Sequence, residues 1–119
     1  MGLDNFAKRA LGEDLTEEDR AAFKAAAPNL CGGWAGEEPW DLRGKVYAVL
    51  VEEVTGESLY DDFLAPDTVK AMYEALRDCE PGEVVSYNPG FGDPEAQIRE
   101  LRKFFKVCAE RNLGIASWW

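Results

Sequence analysis

From Asp93 to Gly114 the chain carries a pattern that only an amphipathic helix satisfies. Ile98, Leu101, Phe104, Phe105 and Cys108 recur at three- and four-residue spacing, while Arg99, Arg102, Lys103, Lys106 and Arg111 make the other side basic. That period places the apolar residues in one stripe, which must be buried. Asp93-Pro94-Glu95 gives the helix a cap and an acidic first turn, and Asn112-Leu113-Gly114 is a Schellman-type stop. A second stripe, Val69, Met72, Tyr73, Leu76 and Cys79, follows a Pro66 helix start and ends before Pro81-Gly82.

Two further helices are expected. Thr16 is an N-cap with Asp19 at the capping-box position, and that helix runs to about Ala26 before Pro28 stops it. Residues 41–55 read as helix or as a buried strand through Val46–Val51. Helix is favoured because Leu42, Val46, Val49, Leu50 and Val54 form a stripe and Gly56 sits at the C′ position. Residues 2–9 read as a short strand or an extended arm. Glu83–Tyr87 reads as a strand, and the apolar tail Ile115–Trp119 as a docked segment, a strand beside Val84–Tyr87. The expected fold is a helix-dominated α+β single domain over 1–119, with about four helices. Its small sheet comes from short strands near the termini and from residues 83–87.

Composition narrows the chemistry. With 119 residues, 46% apolar and 30% charged, the chain is long enough for its own core. No apolar run approaches the roughly 20 residues of a membrane span, and no secretory signal is evident, so a cytoplasmic setting is expected. Cys31, Cys79 and Cys108 are an odd number of thiols, which reads as reduced cysteine. The formal charge of −10 disfavours double-stranded nucleic acid as a partner. The sequence contains no histidine, which removes Ser-His-Asp and Cys-His systems and imidazole metal sites.

The stretch Leu30–Tyr47 gathers the residues best suited to a ligand. Cys31, Gly32, Gly33 and Trp34 form one turn, and Trp40, Arg43, Lys45 and Tyr47 follow, with Tyr87 as a further aromatic. Rings stack on planar ligands, arginine grips anions in a fork, and glycine amides approach closely. No Walker or Rossmann spacing is present. The competing reading has Arg43 and Lys45 pairing with Glu37, Glu38 or Asp41 while the tryptophans plug the core. Cys31 has the placement of a turn nucleophile but no histidine to activate it, so no catalytic residue is assigned. The acid runs Glu13-Asp14, Glu17-Glu18-Asp19, Glu37-Glu38, Glu52-Glu53 and Asp61-Asp62 lack any diagnostic metal spacing and read as a solvated face.

Met1–Ala7, Cys31-Gly32-Gly33, Arg43–Tyr47, Thr55–Tyr60, and the closing Val107–Arg111 with Trp118-Trp119 resemble small bacterial and phage proteins that begin Met-Gly-Leu-Asp. The resemblance spans most of the chain and implies a cytoplasmic protein of a phage or mobile element. It brings no catalytic residues, cofactor or metal with it. The expected function is non-enzymatic binding, the sequestration of a small nucleotide-like host signal. The alternatives are an acidic interaction domain acting on a host protein, and a small enzyme using Cys31 or a carboxylate pair. The aromatic loop and tail leave homo-oligomerisation open.

Overall fold

A computed structural model describes residues 3–10, 12–32 and 38–118; Gly33, Trp34 and Glu37 lie outside these. Along the described chain run β1 (Asp4–Lys8), α1 (Glu17–Ala26), β2 (Asp41–Leu42), α2 (Gly44–Thr55), β3 (Phe63–Leu64), α3 (Pro66–Asp78), α4 (Pro94–Glu110) and β4 (Gly114–Trp118). Four helices and a four-stranded antiparallel sheet, ordered β2-β1-β4-β3, make this an α+β fold dominated by helix.

The chain's two ends form the sheet's centre. β1 and β4 pair along their full length, from Asp4 opposite Trp118 to Lys8 opposite Gly114. The two-residue strands β2 and β3 flank them, with Phe6 opposite Asp41 and Phe63 opposite Ala116. Side chains alternate across a sheet, so Ala7, Leu42, Leu64 and Ile115 point one way, into the helices, and all four are buried. Phe6, Asp41, Phe63, Ala116 and Trp118 share the opposite face.

The helices cover the first face, and α4 packs most extensively on α3. Ile98, Leu101, Phe104, Phe105 and Cys108 of α4 are fully buried, as the sequence period demands. The Phe23 and Phe104 rings meet at 5.3 Å between centroids, which ties α1 to α4. Burying one such ring is worth roughly 2–3 kcal/mol, more than a residue's helix propensity, so packing holds these helices. Asn112 takes the left-handed conformation after α4, and Leu113 N–H reaches back to the Cys108 carbonyl at 2.8 Å. That is the Schellman closure, and it turns the chain directly into β4.

α1 has the expected cap: Thr16 Oγ1 accepts the Asp19 N–H, and the Asp19 carboxylate accepts the Thr16 N–H. Arg102 of α4 and Arg111 just beyond it are spent internally. Arg102 donates to the Leu76 and Cys79 carbonyls at 2.7 and 3.1 Å, closing the C-terminal end of α3. Arg111 and Arg9 both bind the Asp19 carboxylate, at 2.6 and 2.8 Å.

Two expectations need correction. Val84–Tyr87 forms no strand. Pro81–Glu83 is a single 3₁₀ turn, and the Val85 and Ser86 N–H groups go to the Glu53 carboxylate instead of a ladder. Val85 is 82% exposed, so this run has no second apolar face to bury, and the tail pairs with β1 and β3. Residues 41–55 are mostly helix, but Leu42 belongs to β2 and Val49 is exposed. The close approach of Gly44 to Leu3 and Asn5 sets the phase of α2, so Val46, Tyr47, Leu50 and Val51 face inward.

Candidate functional site

The chain leaves α1 through Ala27, which is left-handed, and Pro28 prevents the helix from resuming. The following segment cannot pair its backbone with itself. Three partners take its polar groups: Glu100 Oε1 accepts Asn29 N–H at 2.8 Å, Tyr47 Oη accepts Cys31 N–H at 2.7 Å, and Arg43 N–H donates to the Cys31 carbonyl at 2.8 Å. Burial pushes the Glu100 carboxyl up, but the Asn29 N–H, Lys103 and Arg99 outweigh it and hold the group below the usual range. Burial also raises the Tyr47 phenol, which stays neutral as an acceptor here.

This pinned segment forms one wall of a cavity of about 590 Å³. Among the described residues Lys24, Pro28, Leu30, Cys31, Gly32 and Glu38 contribute to its lining. Trp40 is not among the lining residues and lies beside α1, next to the lining residues Pro39 and Lys24. Its ring has the Arg20 guanidinium carbon at 5.8 Å and Lys24 Nζ at 5.9 Å from the centroid. Lys24 therefore belongs both to the cavity wall and to the cationic clamp on the indole.

The sequence-derived residues distribute unevenly around this cavity. Cys31 and Gly32 line it, and the Cys31 thiol is half-buried and free. Gly33 and Trp34 lie outside the described residues. Tyr47 is buried behind the wall and acts through its hydroxyl. Arg43 and Lys45 are exposed at the start of α2 and are not among the lining residues; Arg20 and Lys24 are the cations at the indole. Tyr87 sits half-buried in the segment tied to Glu53 and Gln97, away from the lining. The sequence reading missed Arg20 and Lys24, although their four-residue spacing on α1 puts them on one helix face.

Segments far apart in sequence meet at the first turn of α2. Asn5 Nδ2 donates to the Leu59 carbonyl at 2.9 Å, and Lys45 N–H donates to the Leu3 carbonyl at 3.3 Å. Asn5 Oδ1 is buried without a hydrogen-bond partner among the described residues and faces Gly44, where any Cβ would overlap it. With the Cys31 contacts to Arg43 and Tyr47, these bonds make one knot from four separate stretches of sequence.

β1–β2 pairing also gathers acids that sequence spacing could not reveal. Asp41 is pushed up to about 6, first by burial and then by the nearby charges of Glu38 and Asp4. Among the described residues no three His, Cys, Asp or Glu side chains converge as a metal site requires. Comparison with known proteins returns no matching family model, no matching curated protein and no matching solved structure.

Proposed function

We propose that the protein is a non-enzymatic binding protein that holds a small, flat, anionic molecule of nucleotide type in the cavity beside Cys31 and Lys24. The observation that carries this reading is the clamp of Arg20 and Lys24 on Trp40 at the edge of a cavity of about 590 Å³. That volume falls in the range of small-molecule sites, and an indole with two cations of α1 beside it offers an aromatic surface and charge together. Gly32 and the pinned backbone in the lining support close approach of a ligand without a general base.

The test is a melt and tryptophan-fluorescence titration against mono-, di- and cyclic nucleotides. A ligand that binds the native state raises the melting temperature by mass action. Lys24→Ala and Trp40→Ala should abolish the shift, and Arg43→Ala should retain it. A panel that shifts nothing in the wild type would sink the proposal.

A further inference from the structure

The sheet face turned away from the helices carries three aromatic side chains. Phe6 on β1, Phe63 on β3 and Trp118 on β4 surround Ala116, which their registers place between them. Trp118 is 60% exposed, and the Phe6 and Phe63 rings are half-buried. The Phe63 ring lies over Gly114, the position on β4 where a Cβ would collide with it. Trp118 thus presents an indole to solvent beside two partly covered phenyl rings.

The charge around these rings is mostly negative. Asp41 shares the face through its pairing with Phe6, and Asp4 lies opposite Trp118. Exposed Asp61 and Asp62 lead into β3, and Glu38 stands close enough to Asp41 to act on its charge. Lys8 is a cation of this face, 5.8 Å from the Phe6 centroid and already paired with Asp14 at 3.9 Å. Aromatic faces beside carboxylates attract guanidinium and ammonium groups and repel phosphate.

Size fixes the kind of occupant. Five residues at ~3.4 Å and three strand spacings of ~4.8 Å span roughly 250 Å². A stable dimer needs on the order of 800 Å² from each partner, so this face suits a short segment and not a second copy. We propose that the outer sheet face is a docking surface for a basic peptide segment of a partner protein, whose arginine or lysine side chains seat on Phe6, Phe63 and Trp118 beside the carboxylate of Asp41. This surface is separate from the cavity at Cys31, and it gives the alternative reading of an acidic interaction domain a defined place.

The experiment measures fluorescence anisotropy of a labelled arginine–glycine peptide and its glutamate–glycine counterpart at physiological ionic strength. The arginine peptide should bind and the glutamate peptide should not. Trp118→Ala, which removes an exposed side chain and leaves the melting temperature in place, should weaken binding about five- to tenfold. Asp41→Asn should weaken it as well. The double variant Glu74→Gln with Glu95→Gln removes two exposed acids elsewhere and should bind like the wild type. The proposal is overturned if the arginine peptide fails to bind, if Trp118→Ala binds unchanged, or if the remote double variant loses as much affinity. It is also overturned if sedimentation shows a wild-type dimer that Trp118→Ala dissolves.

Discussion

Tyr47 Oη accepts the backbone N–H of Cys31 at 2.7 Å, so a buried phenol of α2 holds the wall of the candidate cavity. Glu100 does the same for Asn29 from α4. A segment without secondary structure is thus positioned by two side chains whose own places are fixed by core packing. Tyr47→Phe keeps the ring and deletes the acceptor, leaving the Cys31 N–H unpaired. The cost should be about 1–2 kcal/mol in urea unfolding. Alkylation of Cys31 by iodoacetamide should accelerate in the same variant; an unchanged rate would mean that the wall is held without this bond.

Asp19 has no exposed surface in its side chain, yet it carries a charge that Arg9, Arg111 and the Thr16 N–H all address. Burial raises its pKa, but those hydrogen bonds prevail and bring the carboxyl down from 3.8 to about 2. A carboxyl with a depressed folded-state pKa stabilises fully above its unfolded value and loses that contribution as pH falls through the folded one. The window here is therefore pH 4 to pH 2, with a loss of about 2 kcal/mol. Asp19→Ala should cost about 2–4 kcal/mol at pH 7, since Arg9 and Arg111 lose their shared partner. Urea titrations at pH 7 and pH 2 should also show a smaller acid loss in that variant than in the wild type.

What the sequence disclosed divides along the range of the interactions. α3 and α4 were legible because Val69, Met72 and Leu76, and Ile98, Leu101, Phe104 and Phe105, obey a local period with local caps. The capping box at Thr16 and Asp19 was legible for the same reason. What Asp19 does besides capping was not, because Arg111 lies 92 residues away along the chain. Val84–Tyr87 misled because β-branched residues suit a strand only where an edge is available, and β4 already has β1 and β3 as neighbours. The candidate site was half legible: Cys31, Gly32 and Trp40 were singled out. The cations beside the indole come from α1, a helix that the Leu30–Tyr47 stretch does not contain.

Gly44 illustrates a constraint that composition hides. Its Cα packs against the Asn5 amide and the Leu3 side chain, so a methyl group would overlap Asn5 Oδ1 and crowd Leu3 Cδ2 at 2.8 Å. Asn5 cannot retreat freely, because its Nδ2 is committed to the Leu59 carbonyl. Alanine normally favours a helix over glycine by ~1 kcal/mol, yet Gly44→Ala should destabilise by about 1–3 kcal/mol, since overpacking exceeds the propensity gain. Gly56→Ala is the comparison: nothing crowds that position, and its cost comes from the positive φ of 78° alone. A thermal melt in which Gly44→Ala matched or exceeded the wild type would show that β1 and α2 separate easily.

Asp41 should behave in the opposite sense to Asp19. Burial, Glu38 and Asp4 raise its carboxyl from 3.8 to about 6, so folding favours its protonated form. The folded state then binds more protons than the unfolded chain between pH 4 and pH 6, and stability falls as pH rises through that window. Lys8 on the same face is engaged by Asp14 and is not among the groups that shift Asp41. Asp41→Asn should therefore raise stability at pH 7 by about 1–2 kcal/mol, allowing for the part of the group that water reaches, and change little at pH 4. The same substitution should weaken the arginine peptide at the outer sheet face. A variant that gains stability and loses affinity together would identify Asp41 as a charge kept at the fold's expense for recognition, whereas a gain of stability with unchanged affinity would overturn the seating of the peptide beside Asp41.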